Sequence, residues 1–309
     1  MQHRFIDLFA GIGGFHEAFH RAGAECVFAS EWNSAARLTY EHNFRSKSPN
    51  LFGPPESPGL ETRFFVGDIT KVNKSEIPDF DILCAGFPCQ PFSQAGHRLG
   101  FDDDRGNLFS EICGIIQSKI DEGQKPKALF LENVRHLQKH DGGRTFEIIL
   151  KRLRDDLGYF VKYKIVKAAE FGLPQLRPRL FIIAFAEKSD FENFSYPVPI
   201  DLQFNMSEIL GGHCPRKIGF TLRVGGKASP IDDRHNWDGY YVDGLVRRLT
   251  PDEGKLMQGY DRNFQFPKSV SPSQAMKQLG NGVAVNAIEA YAREILKALE
   301  KNSSEISGS

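Results

Sequence analysis

The sequence predicts an α/β fold, a doubly wound and mostly parallel sheet with a smaller second domain, from three observations. Short apolar runs alternate with stretches of helical periodicity from Arg4 to Phe185, the pattern of strand-helix-strand units on a parallel sheet. The residues at the run ends (Gly11, Glu31, Asp68, Cys89, Glu132) are of ligand-binding type, as expected where a doubly wound sheet binds outside its strand carboxyl ends. From about Ser189 to about Phe266 the texture changes to short pieces punctuated by Gly and Pro, which marks the separate small domain.

The first unit is Arg4–Phe9, then Ala10-Gly11-Ile12-Gly13-Gly14, then Phe15, Ala18, Phe19 and Ala22 at helical spacing. Strand, glycine loop and helix follow from that order. The glycines let the backbone approach a ligand at a helix N-terminus, although Gly-x-Gly-Gly is not the dinucleotide fingerprint. The same helix contains His16-Glu17-Ala18-Phe19-His20, a literal zinc-hydrolase signature. At about 100° per residue, His16, Glu17, His20 and Arg21 fall opposite the apolar face and are expected to be solvated. Glu25–Ser30 reads as the second strand. Glu31 at its end suits a ribose hydroxyl pair, and Trp32 offers a flat face for an adenine ring. Helix Ser34–Phe44, a surface loop Ser46–Gly59 without chemistry, a third strand at Phe64–Val66 leading to Asp68, and a fourth at Phe80–Leu83 complete this half.

The fourth strand runs on through Leu83–Gly86 and presents Cys89 between Pro88 and Pro91. Prolines on both sides stiffen the turn and withdraw backbone donors, a suitable mount for a nucleophile; the alternative is a buried structural cysteine. Residues Gln94–Leu108 have little periodicity and read as a lid. A helix Leu108–Ile120 and a fifth strand Ala128–Leu131 lead to Glu132, the second catalytic candidate, with a capping or surface carboxylate as the alternative. Helix Thr145–Leu157 precedes strands near Lys162–Lys167 and Leu180–Phe185. Between these two, Arg177 and Arg179 could hold phosphate or a polar base edge. Gly211–Pro230 carries Arg216, Lys217, Arg223 and Lys227 with no acid, the local positive patch that phosphate binding requires. Asp232–Asp238 can either read base edges or form a turn. Within Ser273–Leu299, Gln278–Asn286 opens a long helix, and Lys301–Ser309 reads as a disordered tail.

Lysine plus arginine equals aspartate plus glutamate at 39 each, so no global field draws in a polyanion and a local patch must do so. Five cysteines without metal-type pairing, and no signal peptide, argue for reduced thiols in a cytoplasmic setting. No apolar run approaches membrane-spanning length, and no metal is expected.

Taken together, Asp7–Gly14, Gly86-Phe87-Pro88-Cys89-Gln90-Pro91-Phe92-Ser93, Glu132-Asn133-Val134, Gln175-x-Arg177-x-Arg179, Arg247-x-Leu249-Thr250-Pro251-x-Glu253 and Gly280-Asn281-Gly282-Val283 resemble, in order, the motifs of the cytosine-C5 DNA methyltransferases. The resemblance implies a class I, Rossmann-like domain over 1–188 plus 268–309 and a target-recognition domain over 189–267. It implies S-adenosylmethionine on Phe9, Gly11, Ile12 and Gly14, with Glu31 on the ribose, Trp32 against adenine, Asp68 and Ile69 at the base, and Pro88, Leu108, Asn281 and Val283 at the methionine end; S-adenosylhomocysteine is the product. Cys89 is the implied nucleophile, Glu132 the group at ring N3, Arg179 the holder of the base carbonyl and Arg177 a neighbour of the sugar-phosphate. Gln90, Ser93 and Arg105, in a lid that the resemblance extends over Gln90 to Leu108, with Arg216, Lys217, Thr221, Arg223, Lys227 and Arg234, are the implied contacts to double-stranded DNA, whose target base is flipped out. A monomer acting on a short target, beside a separate restriction endonuclease in a bacterial cytoplasm, completes the expectation. The competing readings are a tRNA cytosine methyltransferase, whose Cys-Phe-Thr signature is absent, a zinc hydrolase, and a catalytically dead cofactor-binding regulator.

Overall fold

The computed structural model describes residues 2–53, 59–88, 108–226 and 228–306. Strand β1 (Arg4–Leu8), helix α1 (Gly14–Arg21), β2 (Glu25–Ser30), α2 (Ser34–Phe44) and the short β3 (Phe65–Val66) run outward in one direction. The chain then returns so that β4 (Ile82–Gly86) pairs in parallel with the other side of β1. Next come α3 (Leu108–Asp121), β5 (Ala128–Val134), α4 (Arg144–Lys151), β6 (Phe160–Val166) and β7 (Arg179–Phe185). The strand order is β3-β2-β1-β4-β5-β7-β6, with β7 antiparallel to both of its neighbours. The winding reverses between β1 and β4, and there the carboxyl ends of adjacent strands diverge and open a crevice.

Side chains alternate between the two faces of the sheet. Phe5, Ile82, Phe130, Phe181, Ile183 and Phe185 face one layer with α1 and α2. Ile6, Leu8, Leu83, Leu129, Leu131, Leu180 and Ile182 face the other layer, with α3 and α4. Phe130 is the centre of the first layer: fully buried, its ring stands edge-on to Phe15 and to Phe181, each at 5.1 Å. Burial of one such ring contributes about 1.5–3 kcal/mol.

Beyond β7 lie α5 (Lys188–Asn193), α6 (Met206–Leu210), a hairpin of β8 (Gly239–Val242) and β9 (Leu245–Arg248), and α7 (Pro251–Met257). Phe194 and Tyr196 pack their rings tilted and edge-on against Tyr291, so the chain just after Ser189 lies on the main hydrophobic layer. The long helix expected to open at Gln278–Asn286 is α9 (Val285–Ile306), and a separate helix α8 (Pro272–Asn281) precedes it. Gly282 leaves helical geometry between them, and the Val285 amide donates to the Gln258 carbonyl at 2.8 Å. Helix α9 packs against α1, which brings both ends of the chain into one layer. It continues to Ile306, so the tail expected to be disordered from Lys301 is helical over its first turns.

The loop Ser46–Gly59 is also more than surface: Leu51 is buried, and the Ser48 hydroxyl lies 3.1 Å from His16 Nε2. His16 is fully buried, bonded through Nδ1 to the Tyr40 hydroxyl at 2.7 Å and stacked on Phe44. Glu17 is buried too, held by Arg21 and Lys47. The expected solvated face of α1 is therefore covered by α2 and the Ser48 segment, and of the four residues only His20 is exposed.

Candidate active site

The crevice begins just after β1. Phe9, Gly11 and Gly13 all have positive φ (55°, 57° and 84°), which coils the backbone tightly into the N-terminus of α1. Glycine suits position 13 twice over, because a Cβ there would also collide with the Phe44 ring. The Gly11 amide donates to Glu31 Oε2 at 2.8 Å, and the Asn33 amide to Oε1 at 2.7 Å. One carboxylate at the end of β2 thus fixes the glycine loop. Burial raises the Glu31 pKa, against the pull of the Asn33 and Gly11 amides and of Arg37. Beside it Trp32 is 76% exposed, an open aromatic face of the kind that stacks on a heterocycle. Asp68 accepts from the Thr70 amide and hydroxyl, which lower its pKa, and Ile69 behind it is buried.

The floor of the crevice comes from the C-terminal segment. A Cβ on Gly14 would lie 2.5 Å from Val283 Cγ2 and 3.1 Å from the Tyr260 hydroxyl, so the glycine lets the loop close onto Val283. Val283 Cγ1 reaches towards Gly86 at the end of β4, whose Cβ position is 3.7 Å from it and 3.6 Å from Glu132 Oε2. Gly86 and Glu132 are register partners on β4 and β5. The Asn133 amide group donates to the Phe87 carbonyl at 2.9 Å, pinning the chain as it leaves β4 towards exposed Pro88.

Glu132 Oε1 stands 2.9 Å from Arg179 Nε. The pairing follows from the antiparallel register, in which Phe181 faces Glu132 and Arg179 faces Val134, so the two side chains are diagonal neighbours on one face. Arg179 also donates through Nη1 to the Pro178 carbonyl at 3.0 Å. Burial raises the Glu132 pKa despite the attraction of Arg179 and Arg177. Cys89, Gln90, Ser93 and Arg105, with most of the expected lid, and Lys227 lie outside the described residues; Leu108, half-buried, opens α3.

Arg177 requires a correction. Expected beside a sugar-phosphate, it is 1% exposed and its fork is spent on main-chain carbonyls of Leu222 (3.0 Å), Gly280 (2.9 Å) and Gly282. Both terminal nitrogens thus bond to main chain, and burial pushes its pKa well down. Thr221, expected on DNA, accepts the Arg177 amide through its hydroxyl at 3.0 Å. The Asp232–Asp238 stretch resolves as a turn: Trp237 is buried and donates to the Gly225 carbonyl, and buried Asp238 pairs with Arg248 at 2.8 Å. Arg216, Lys217, Arg223 and Arg234 are exposed, Arg216 lying over the Phe220 ring at 4.1 Å. Asn281 is exposed beside buried Val283. Sequence reasoning missed Tyr260, which packs beneath Gly14, and the buried pair Gln175 and Gln258 (3.2 Å). Gln175 had a signal, its place in the Gln-x-Arg-x-Arg motif; the other two had none. Among the described residues no three His, Cys, Asp or Glu side chains converge as metal ligands, and no helix is long and apolar enough to cross a membrane.

A family model for C-5 cytosine-specific DNA methylases matches residues 3–223 and 214–297. The chain belongs to that family. The methylase is 39% identical over 335 residues to the Type II methyltransferase M1.ScrFI of Lactococcus lactis subsp. cremoris, covering 97% of this chain and 80% of that one. It is 35% identical over 335 residues to the Type II methyltransferase M.HhaI of Haemophilus parahaemolyticus, covering 96% and 95%. Its fold is shared by a DNMT2 mutant from Spodoptera frugiperda (TM-score 0.66, 19% identity, 96% and 100% covered) and by a putative DNA modification methyltransferase of an E. coli prophage (TM-score 0.63, 20% identity, 97% and 100% covered). The methylase transfers a methyl group to carbon 5 of cytosine in DNA, and membership of the family makes it dependent on S-adenosylmethionine. The crevice fits that group: a left-handed glycine loop, a carboxylate at the end of β2, an open indole and the Asp68 carboxylate suit a nucleoside carrying a positive sulfonium.

Proposed function

We propose that the methylase acts on a flipped-out cytosine within a short duplex sequence through a covalent adduct at Cys89. The observation that carries this reading is the convergence of Glu132, Arg179, Gly86 and Val283 at one crevice. Cys89 follows Gly86 by three residues in the sequence and stands in the Pro-Cys-Gln motif, which makes it the nucleophile of this reading. S-adenosylmethionine supplies an electrophilic methyl group, and Phe9, Gly11, Ile12, Gly14, Glu31, Trp32, Asp68, Ile69, Pro88, Leu108, Asn281 and Val283 would hold it.

Carbon 5 of cytosine is a poor nucleophile until a thiolate adds at carbon 6. Cys89 makes that bond, and its electron pair raises the electron density at carbon 5. Glu132, whose pKa burial raises, gives a proton to ring N3 as charge develops there. Arg179 donates to the base carbonyl, with Glu132 and Pro178 fixing its plane. Once carbon 5 is methylated, its proton leaves to a base, the electron pair of that C–H bond expels the thiolate, N3 returns its proton to Glu132, and both Cys89 and Glu132 are restored. None of these groups can reach a stacked base, so flipping is required. No step calls for a metal ion.

In this reading 189–267 is the target-recognition region, which the exposure of Arg216, Lys217, Arg223 and Arg234 supports, with backbone contacts positioning the duplex and base contacts selecting the sequence. A monomer acting on cytoplasmic DNA, beside a separate restriction endonuclease, completes the reading, which the similarity to Type II methyltransferases supports. The test is incubation of plasmid DNA, and separately of tRNA, with the protein and S-adenosylmethionine, followed by sequencing for 5-methylcytosine. Methylation of one short DNA sequence is expected; methylation of tRNA alone would sink the reading.

A further inference from the structure

We infer that Arg177 is a positioning residue that couples the cofactor end of the crevice to the recognition region, so that occupancy of one orders the other. The inference rests on the cofactor site proposed above. Arg177 is fully buried and has φ 34°. A non-glycine residue holds such a backbone only where its surroundings over-determine it. Its fork bridges two separate segments: Nη1 donates to the Leu222 carbonyl, and Nη2 to those of Gly280 and Gly282.

The same two segments are joined a second time. Gln175 Oε1 accepts the Leu222 amide at 3.0 Å, while its Nε2 donates to the Met257 carbonyl and to Gln258, which in turn donates to the Leu279 carbonyl at 2.6 Å. They also lie flush: a Cβ on Gly280 would stand 2.7–2.9 Å from the backbone of Arg223 and Val224. Thr221–Val224 therefore cannot shift against Leu279–Val283 without stranding a buried guanidinium, a costly event. One end of this seam is Val283, against Gly14 and Gly86; the other carries exposed Arg223. Lysine cannot replace the residue, because a single ammonium cannot span three carbonyls in the plane that the fork reaches.

Hydrogen exchange with S-adenosylhomocysteine alone, on the full chain and on Arg177→Lys, tests the coupling. In the natural protein the ligand is expected to slow exchange at 9–14 and, by about fivefold or more, at 219–224, in the usual range for coupled sites. In Arg177→Lys the protection at 9–14 persists and that at 219–224 is lost. Protection confined to 9–14 in the natural protein, or retained at 219–224 in Arg177→Lys, overturns the inference. Absence of protection at 9–14 in the natural protein instead removes the cofactor site on which it rests. Should Arg177→Lys not fold, Thr221→Val, which removes only the acceptor of the Arg177 amide, gives the same comparison at smaller amplitude, and the natural protein alone decides the first arm.

Discussion

Glu132 and Arg179 meet at 2.9 Å although they lie on different strands, because the antiparallel placement of β7 sets them diagonally on one face of the sheet. An acid pressed against a cation would ordinarily be ionised, yet here burial outweighs both arginines and raises the Glu132 pKa.

The rate should therefore depend on that proton. Because the group is needed protonated, kcat is expected to be highest on the acid side of the raised Glu132 pKa and to fall as pH rises through it. Glu132→Gln, which cannot give up a proton, should lose about 10²–10⁴ in kcat, the usual contribution of a general acid, and its residual rate should lack this alkaline fall. A pH profile of single-turnover methylation for both proteins checks the point.

Two glycines of one loop should fail differently. Gly11 has open space around it but φ 57°, so Gly11→Ala is expected to cost about 1–2 kcal/mol of stability, the penalty of left-handed backbone. At Gly14 the added Cβ meets Val283 at 2.5 Å. Gly14→Ala should push Val283 off the loop and raise the KM for S-adenosylmethionine by about tenfold, since a misplacement of about 1 Å costs up to a hundredfold. Denaturant unfolding and steady-state kinetics on the pair separate the two effects.

Buried His16 makes the fold acid-sensitive. Burial, with His20 and Lys47, holds its pKa well below the ordinary value of 6.5. Below that value the unfolded chain takes up a proton that the folded protein refuses, so stability falls with falling pH. From pH 7.5 to 5.5 the stability of the natural protein relative to His16→Gln is expected to shrink by roughly 1 kcal/mol. Urea midpoints of both proteins at the two pH values measure it.

In a chain with no net charge, DNA affinity has to come from the local patch. Replacing Arg216 and Lys217 together by alanine should weaken binding to all duplexes alike and flatten the salt slope by about 1.8, at about 0.9 per lost phosphate contact. Binding isotherms between 50 and about 200 mM salt give the slope; an unchanged value would remove this pair from the interface.

Much of the fold was legible because strand and helix periods speak locally. Helix α2 occupies the expected Ser34–Phe44, and β2 the expected Glu25–Ser30. What could not be read was set by neighbours distant in sequence. The α1 face with His16 looked solvated until α2 and Ser48 covered it. The fifth strand runs on through Glu132 to Val134 because β7 continues to pair with it. Cations read as surface residues by type, and nothing local distinguishes Arg177, buried under Leu222 and Gly280, from Arg179 beside the crevice. Likewise, Asp232–Asp238 could be placed as a turn only once Arg248 was seen to neutralise Asp238.

The central claim, a thiol at position 89 bonding to carbon 6 of an extruded cytosine across from Glu132, is tested most directly by trapping. The protein is incubated with S-adenosylmethionine and DNA carrying 5-fluorocytosine at the mapped site, where loss of the C5 substituent is blocked and the adduct persists. A denaturation-resistant protein–DNA band is expected, absent in Cys89→Ser. No band with the natural protein, or an equal band with Cys89→Ser, would contradict the account.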